Sequence, residues 1–245
     1  MKADPDAQRR LLDLQAIDTA LAQIAHKRSS LPEVAELDRL ARELSKLEDE
    51  RVRAQVAVDD IDRDISRLDK DVEQVRARAD RDRARLDAGT GPAKELEALQ
   101  HELATLTRRQ NELEDAELEL MEQREQSQAE VDRVEAALAG TRQTRAETEA
   151  RRDATLGELD KERGWRAQSR APLVVDLPKD LTDLYEKIRE TTGIGAALLR
   201  AGRCEGCRLE LSGSERSRVR VAAPDEVVRC EECRRILVRT AESGM

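Results

Sequence analysis

The 245-residue sequence lacks phenylalanine and has one tryptophan, Trp165, and one tyrosine, Tyr185. A globular core of this size normally relies on several aromatic side chains, because each buries a large apolar area. Charged residues, by contrast, make up 40% of the chain. This composition argues against an ordinary compact domain and is typical of long helices and coiled coils.

Long apolar runs are also missing. No stretch approaches the roughly 18 apolar residues that a membrane-spanning helix needs, and the first ten residues have no signal-peptide character. We therefore expect a cytoplasmic protein with no membrane association. Arginine outnumbers lysine and alanine is abundant, a bias typical of GC-rich bacterial genomes.

The net charge of −9 is unevenly distributed. Residues 1–170 hold 31 basic and 40 acidic residues, whereas residues 171–245 hold 13 of each. The acidic region is not expected to bind nucleic acid along its length. Any nucleic-acid binding must therefore come from the C-terminal region.

Two long stretches, residues 37–86 and 96–159, repeat apolar residues at the heptad spacing of a coiled coil. Between them, Gly89 is suited to end one helix and Pro92 to begin the next. The turn at residues 89–92 therefore predicts an antiparallel hairpin.

A shorter apolar run at residues 14–24 has the same spacing in a different phase. The phases meet at residues 29–33, where Ser30 and Glu33 form a capping-box signature and Pro32 falls in the first helical turn. We predict a kink there.

Polar residues interrupt the apolar seam at Arg51, Gln110 and Arg124, where they are expected to set the helix register. The seam is weaker between Gln110 and Ser127, which favours flexing or partner binding there. Lys94 and Glu95, directly after the turn, are a candidate docking point at the hairpin tip. The alternative is an exposed helix start.

Four cysteines form two pairs, Cys204-Glu-Gly-Cys207 and Cys230-Glu-Glu-Cys233, separated by 22 residues. In a reducing cytoplasm such pairs indicate metal rather than disulfides. Four thiolates provide the closed tetrahedral set that suits one structural Zn²⁺ and leave no position for a catalytic water. The alternative, a thiol redox pair, needs a βαβ context that the sequence lacks.

The segments around the cysteines predict a zinc ribbon. Residues 208–211 and 218–221 are predicted to form a β-hairpin, and residues 235–239 a further strand. Upstream, prolines indicate extended backbone at residues 173–175, followed by a helix from about residue 178 to 192.

The predicted fold is mainly α: a long antiparallel coiled-coil hairpin with a small C-terminal β zinc ribbon. The arm spans residues 1–170, and the short helix with the ribbon spans residues 171–245. Trp165 and Tyr185 are expected to anchor the short helix to the base of the arm, rather than to form a binding hot spot.

On a strand, Arg216, Arg218 and Arg220 would face one side as a basic comb, with Val219 and Val221 on the other. These three arginines are candidates for contacts with RNA or DNA phosphates. The alternative is a solvated strand face. Arg234 and Arg235 complete the candidate set of binding residues.

No catalytic constellation stands out. His26 and His101 are isolated on charged helices and are expected to be exposed. There is no nucleophile with a base, no glycine-rich phosphate loop and no carboxylate pair in a predicted pocket. We therefore expect a protein that is not an enzyme and has no small-molecule substrate.

The sequence resembles a bacterial family with a coiled-coil hairpin and a C-terminal four-cysteine zinc ribbon, which includes a Helicobacter flagellar regulator and a chlamydial type III secretion-linked protein. The stretches that carry the resemblance are Pro92-Ala-Lys94-Glu95-Leu96-Glu-Ala-Leu99-Gln100, Pro178-x-x-Leu181-x-x-Leu-Tyr185 and Cys230-x-x-Cys233-x-Arg235-Ile236-Leu237. The resemblance implies a binding role, with an alternative sigma factor, secretion components or mRNA as partners. The sequence departs from the family at Arg234 and Val238, where glycine and tyrosine are frequent.

Together these features predict a non-catalytic zinc-ribbon adaptor that binds nucleic acid or a transcription-associated protein through the ribbon. The alternative is a structural or chaperone-like scaffold of the secretion or assembly type that binds proteins through the arm. The first needs the arginine comb, and the second needs the polar seam and the hairpin tip.

Overall fold

The computed structural model describes residues 1–244 and contains five α-helices, four short strands and a 3-10 helix in that range. Their bounds are α1 Pro5–Ser29, α2 Pro32–Asp87, α3 Ala93–Val175, α4 Lys179–Thr192, α5 Gly213–Val221, β1 Ala196–Arg200, β2 Arg203–Cys204, β3 Val228–Arg229, β4 Ile236–Val238 and the 3-10 helix Ala241–Ser243. The predicted fold class, a long helical hairpin with a small C-terminal zinc ribbon, is confirmed. None of the helices in this range combines the length and apolar character needed to cross a bilayer.

The chain forms two compact units. The arm unit is Ala35–Glu149, and the base unit combines Met1–Val34 with Ala150–Met245. The sequence-based boundary between residues 170 and 171 falls inside α3 instead. The N-terminal helix shares a core with α4 and the sheet, so it belongs with the ribbon.

The helix breaks coincide with the segments singled out in the sequence. The α1 helix ends at Ser29 and α2 begins at Pro32. The second break lies between Asp87 and Ala93, where Gly89 has a φ of 62°. Glycine tolerates this left-handed conformation without the steric cost that a side chain would impose.

The expected extended segment at residues 173–175 is helical, because α3 continues through Pro172 to Val175. A proline near the end of a helix removes one backbone hydrogen bond. That loss is offset here by burial, since Leu173 and Val174 pack against the core of the base unit.

The expected strand at residues 218–221 is also wrong, because this segment belongs to α5. The hydroxyl of Ser212 accepts a hydrogen bond from the N–H of Glu215 at 3.1 Å and so caps the helix. Glu215 and Val219, four residues apart, face the ribbon core. The expected β-hairpin between the cysteine pairs therefore does not form.

The arm unit is two antiparallel segments of α2 and α3 with a thin apolar seam. Leu44, Val134 and Leu138 form its buried cluster, with Leu47 packed against it. Ion pairs cross the seam between Arg51 and Glu135 and between Arg124 and Asp62. These contacts agree with a role for both arginines in setting register.

The base unit contains a four-stranded sheet in the order β2-β1-β4-β3. The β1 and β4 strands are parallel, with Ala196 opposite Ile236, and the other neighbours are antiparallel. One core joins α1, α4 and the sheet around Tyr185, which is fully buried. A second core fills the ribbon itself.

Candidate metal centre

The four cysteines converge on one point. Their Sγ atoms all lie within 4.8 Å of one another, with Cys204 and Cys233 3.8 Å apart and Cys207 and Cys230 3.9 Å apart. Tetrahedral zinc with bonds of about 2.3 Å places its sulfurs roughly 3.8 Å apart. The donor set therefore fits one structural Zn²⁺, as the sequence predicts.

The two cysteine pairs lie on two separate turns with the same pattern of backbone hydrogen bonds. The N–H of Cys204 donates to the carbonyl of Leu209, and the N–H of Cys230 donates to that of Arg235, both at 3.0 Å. The two halves of the site therefore repeat one local structure, and each presents two sulfurs to the metal.

The residue after each pair adopts a left-handed conformation. Arg208 has a φ of 63° and Arg234 a φ of 64°. This conformation is unfavourable for a residue with a side chain. Glycine adopts this conformation without strain, which is a physical reason for a glycine to replace Arg234 in similar sequences. Both arginine side chains are exposed beside the cysteines.

Without a cation, the site does not favour four thiolates. Burial raises the pKa of the Cys204 thiol well above its usual range, although backbone N–H groups of Cys207 and Gly206 oppose this. Burial also raises the pKa of Cys230, to about 11. For Cys233, hydrogen bonds from Arg235 N–H and the neighbouring thiols outweigh burial and lower the pKa. Metal binding must therefore displace protons from the buried thiols.

Arg235 and Gly206 hold the first cysteine turn in place. The Arg235 guanidinium donates to the carbonyl of Gly206 at 2.9 Å and to that of Thr192 at 3.2 Å. A Cβ at Gly206 would lie 2.8 Å from Arg235 Cδ and 2.9 Å from Ala197 Cβ. Arg235, one of the candidate binding residues, thus supports the metal site from within the chain.

Glu215 and Arg218 hold the second turn. Glu215 is buried, and its carboxylate accepts a hydrogen bond from the N–H of Glu231 at 2.8 Å. Arg218 lies 3.0 Å from the Glu231 carboxylate. The α5 helix is therefore tied to the loop that carries Cys230 and Cys233.

Because α5 is a helix, Arg216, Arg218 and Arg220 do not all face one side as the expected comb requires. Arg216 and Arg220, four residues apart, share one flank, whereas Arg218 lies on the opposite flank. Val219 is 1% exposed and Val221 is 82% exposed, so they do not share a face as expected. The structure thus separates the candidate set into arginines whose guanidinium groups make no hydrogen bond or ion pair in the described residues, namely Arg216, Arg220 and Arg234, and arginines that pair within the base unit, namely Arg218 and Arg235.

The hairpin-tip candidates lie in the first turn of α3. Lys94 and Glu95 are both exposed there. The N–H of Glu95 donates to the carbonyl of Pro92 at 2.9 Å, which starts the helix. His26 and His101 are exposed, as expected.

A buried polar cluster was missed in the sequence. Tyr185 donates from its hydroxyl to Asp18 at 2.7 Å, and Asp18 also accepts from Arg170 at 2.7 Å. Gln15 Oε1 accepts from the N–H of Gly195 at 2.7 Å. The available signal was a pair of polar residues, Gln15 and Asp18, within the apolar run of α1. The cluster fixes α1, α3, α4 and the start of β1 together.

The expected role of Trp165 is wrong, because its side chain is 60% exposed and stacks with Arg166 at 4.8 Å. Tyr185 is buried as expected and packs α4 into the base core together with Leu181 and Ile188. Trp165 belongs to neither core cluster of the base unit.

Two family models match the chain: the CT398-like coiled coil hairpin domain over residues 14–193 and the C4-type zinc ribbon domain over residues 203–237. A Mycobacterium tuberculosis protein is 40% identical over 239 residues, covering 98% of each chain. A solved Mycobacterium smegmatis structure is 39% identical, with a TM-score of 0.84 over 98% of this chain and 100% of that one.

More distant structures share the fold. The CT398 structure of Chlamydia trachomatis is 18% identical, with a TM-score of 0.63 over 95% of this chain and 97% of that one. The HP0958 structure of Helicobacter pylori is 13% identical, with a TM-score of 0.51 over 96% and 98%. These matches confirm the resemblance drawn from the sequence.

Proposed function

We propose that this chain, which belongs to the CT398-like coiled coil hairpin family and carries a C4-type zinc ribbon, is a non-catalytic adaptor whose ribbon binds the phosphate backbone of a nucleic acid. The arm supplies a separate surface for protein contacts. A transcription-associated protein is the competing partner for the ribbon, and the experiment below separates the two.

The observation that carries the proposal is a set of unpaired ribbon arginines. The guanidinium groups of Arg208, Arg216, Arg220 and Arg234 are exposed and make no hydrogen bond or ion pair within residues 1–244. Free guanidinium groups are the side chains best suited to bidentate phosphate contacts. They lie in a unit whose acidic residues are largely engaged, as in the pairs of Glu231 and Glu242.

The metal site supports a non-catalytic role. Four cysteine ligands fill the coordination sphere of zinc and leave no position for a substrate or an activated water. Over the described residues 1–244, the four cysteines form the single cluster of metal-binding side chains. Zinc therefore has a structural task, which is to hold α5 and the arginine-bearing turns in position.

The proposal is tested by fluorescence anisotropy of the zinc-loaded chain with labelled RNA and duplex DNA at two salt concentrations. The test variant is Arg216→Ala/Arg220→Ala/Arg234→Ala. For phosphate contacts, the slope of log affinity against log salt should fall in magnitude by about 2–3 with duplex DNA. Both nucleic acids are used because phosphate contacts alone do not discriminate between them.

The matched control removes the same charge from exposed arginines of the arm, in Arg81→Ala/Arg83→Ala/Arg85→Ala. It should retain the affinity and salt slope of the unmodified chain. Equal losses in the two variants would mean that binding follows net charge and not the ribbon surface. No binding at low salt would overturn the proposal and favour a protein partner for the ribbon.

A further inference from the structure

One segment of the arm combines strong negative charge with exposed apolar side chains. Residues 112–122 of α3 contain six carboxylates and no basic residue. Within it, Leu113 is buried in the seam, but Leu118 is 59% exposed and Met121 is 47% exposed. A coiled-coil surface normally places charged residues at such positions, and neither side chain belongs to the buried cluster of the arm unit.

The exposed apolar residues share one helix face with carboxylates. Glu114, Leu118, Met121 and Glu125 follow one another at spacings of four, three and four residues, which aligns them along α3. Glu122 lies beside Leu118 on the same side. We call these five residues the acidic apolar face.

Like charges crowd this part of the arm. Burial raises the pKa of Glu117, and the neighbouring carboxylates of Asp69 and Glu114 raise it further. Glu114 is balanced by Arg76. Glu122 makes no ion pair in the described chain, and Glu125 interacts with the charge of Arg124, whose ion pair is with Asp62. Cationic groups from a partner would relieve this repulsion, and a nucleic acid would increase it.

We propose that the acidic apolar face binds a basic amphipathic helix of a partner protein. Leu118 and Met121 would pack against the apolar side of that helix, whose apolar residues repeat at spacings of three and four. Lysine or arginine residues beside those anchors would pair with Glu122 and Glu125, since Glu114 already pairs with Arg76. The inference goes beyond the proposed function, because it assigns a second surface that does not involve the ribbon.

The test uses the full zinc-loaded chain and a labelled synthetic amphipathic peptide of about four helical turns, with leucines on one face flanked by lysines. Anisotropy should show binding that weakens with salt. The variant Leu118→Ser/Met121→Ser should lose more than about tenfold in affinity, since each buried apolar side chain contributes strongly to association. Both residues are exposed, so circular dichroism should show an unchanged helix content.

The matched control is Val52→Ser/Val56→Ser, which removes another pair of exposed apolar residues one turn apart, 53% and 48% exposed on α2. It should change the affinity by less than about twofold, well below the roughly tenfold loss expected for Leu118→Ser/Met121→Ser. A peptide with glutamates in place of the lysines should not bind. Equal losses in both serine variants, or binding of the glutamate peptide, would overturn the proposal.

The variant Arg216→Ala/Arg220→Ala/Arg234→Ala separates this proposal from the ribbon function. It should bind the basic peptide as the unmodified chain does, because none of its changes touches the arm. Loss of nucleic-acid binding with intact peptide binding would support two independent surfaces. Loss of peptide binding in this variant would contradict a site on α3.

Discussion

The two compact units bury their apolar residues in different ways. In the arm unit, the buried apolar side chains are spread along the seam between α2 and α3. They are Leu40, Leu44, Val58, Val72, Leu106, Leu113, Val131, Val134 and Leu138. In the base unit, they form two three-dimensional clusters around a sheet. A substitution in the arm seam should therefore affect the packing of α2 and α3 near that position. A substitution in a base cluster should affect several helices and strands at once.

The units also use charge differently. Most arm ion pairs are exposed, such as Arg124 with Asp62, whose side chains are 42% and 46% exposed. In the base unit, Asp18 is only 3% exposed and contacts both Arg170 and Arg189. Exposed pairs contribute little to stability, whereas breaking a buried pair is costly. The same residue types therefore have different consequences in the two units.

Zinc removal should give the largest difference between the units. The ribbon is too small to bury sufficient apolar area by itself, and structural zinc contributes about 10–16 kcal/mol in zinc-finger peptides. Chelation, or Cys204→Ala, should unfold the ribbon while most of the helical circular dichroism persists. Limited proteolysis should then cleave beyond α4 first. Retention of a protease-resistant ribbon without metal would contradict this prediction.

Asp18→Ala should have the next largest effect. It removes the buried carboxylate that Arg170 and Arg189 share and the shorter of the two hydrogen bonds donated by the Tyr185 hydroxyl, and leaves Gln15 and Glu186 as the remaining partners, at a cost of about 3 kcal/mol. Denaturant unfolding measures this loss. Asp160→Ala, which removes the exposed partner of Arg28 in the same unit, is the control and should cost below about 1 kcal/mol.

The pH dependence of the base unit provides a third test. Burial, followed by the hydrogen bond to Asp18, raises the pKa of Tyr185 above that of a free tyrosine. The folded state thus favours the neutral phenol, and this contribution is present below about pH 10 and decreases as pH rises further. Tyr185 is the only tyrosine, so tyrosinate absorbance reports it directly. Ionisation at the free-tyrosine pKa in the folded chain would contradict burial.

Two glycines should respond in opposite directions. A Cβ at Gly195 would lie 2.5 Å from the Tyr185 ring and 2.7 Å from its carbonyl oxygen, so Gly195→Ala should destabilise the base unit by about 1–3 kcal/mol. Gly140, inside α3 in the arm unit, has no neighbour within 4 Å. Gly140→Ala should stabilise by about 0.5–1 kcal/mol, because alanine favours helix. Thermal unfolding of both variants compares them.

The features that the sequence predicts correctly are those set by residues close together in the chain. The heptad spacing, the turn at Gly89 and the two cysteine pairs depend on residues close in sequence, and the structure contains the hairpin and the converging sulfurs. The contact between Tyr185 and Asp18 joins residues 167 positions apart. No pattern in a single sequence indicates such a pairing.

The α5 error has a different cause. Alternating Arg216, Arg218 and Arg220 imitate the period of a strand, and the strand interpretation agreed with a ribbon built only from β-hairpins. The competing signal was Ser212 three residues before Glu215, a capping-box spacing, and the structure shows that it starts a helix. Burial of Glu215 and Val219 on one side then favours helix over the strand period.

The smallest expected effect is in the arm. Asp62→Asn removes the charge that meets Arg124 at 2.6 Å across the seam. Because both side chains are substantially exposed, the free energy of unfolding should fall by less than about 1 kcal/mol and the effect should shrink at high salt. Val134→Ala, at a fully buried position of the same unit, should cost more, about 1–3 kcal/mol. If Asp62→Asn cost as much as Val134→Ala, the arm would depend on its cross-helix ion pairs in the way the base unit depends on Asp18, and the distinction between the two units would fail.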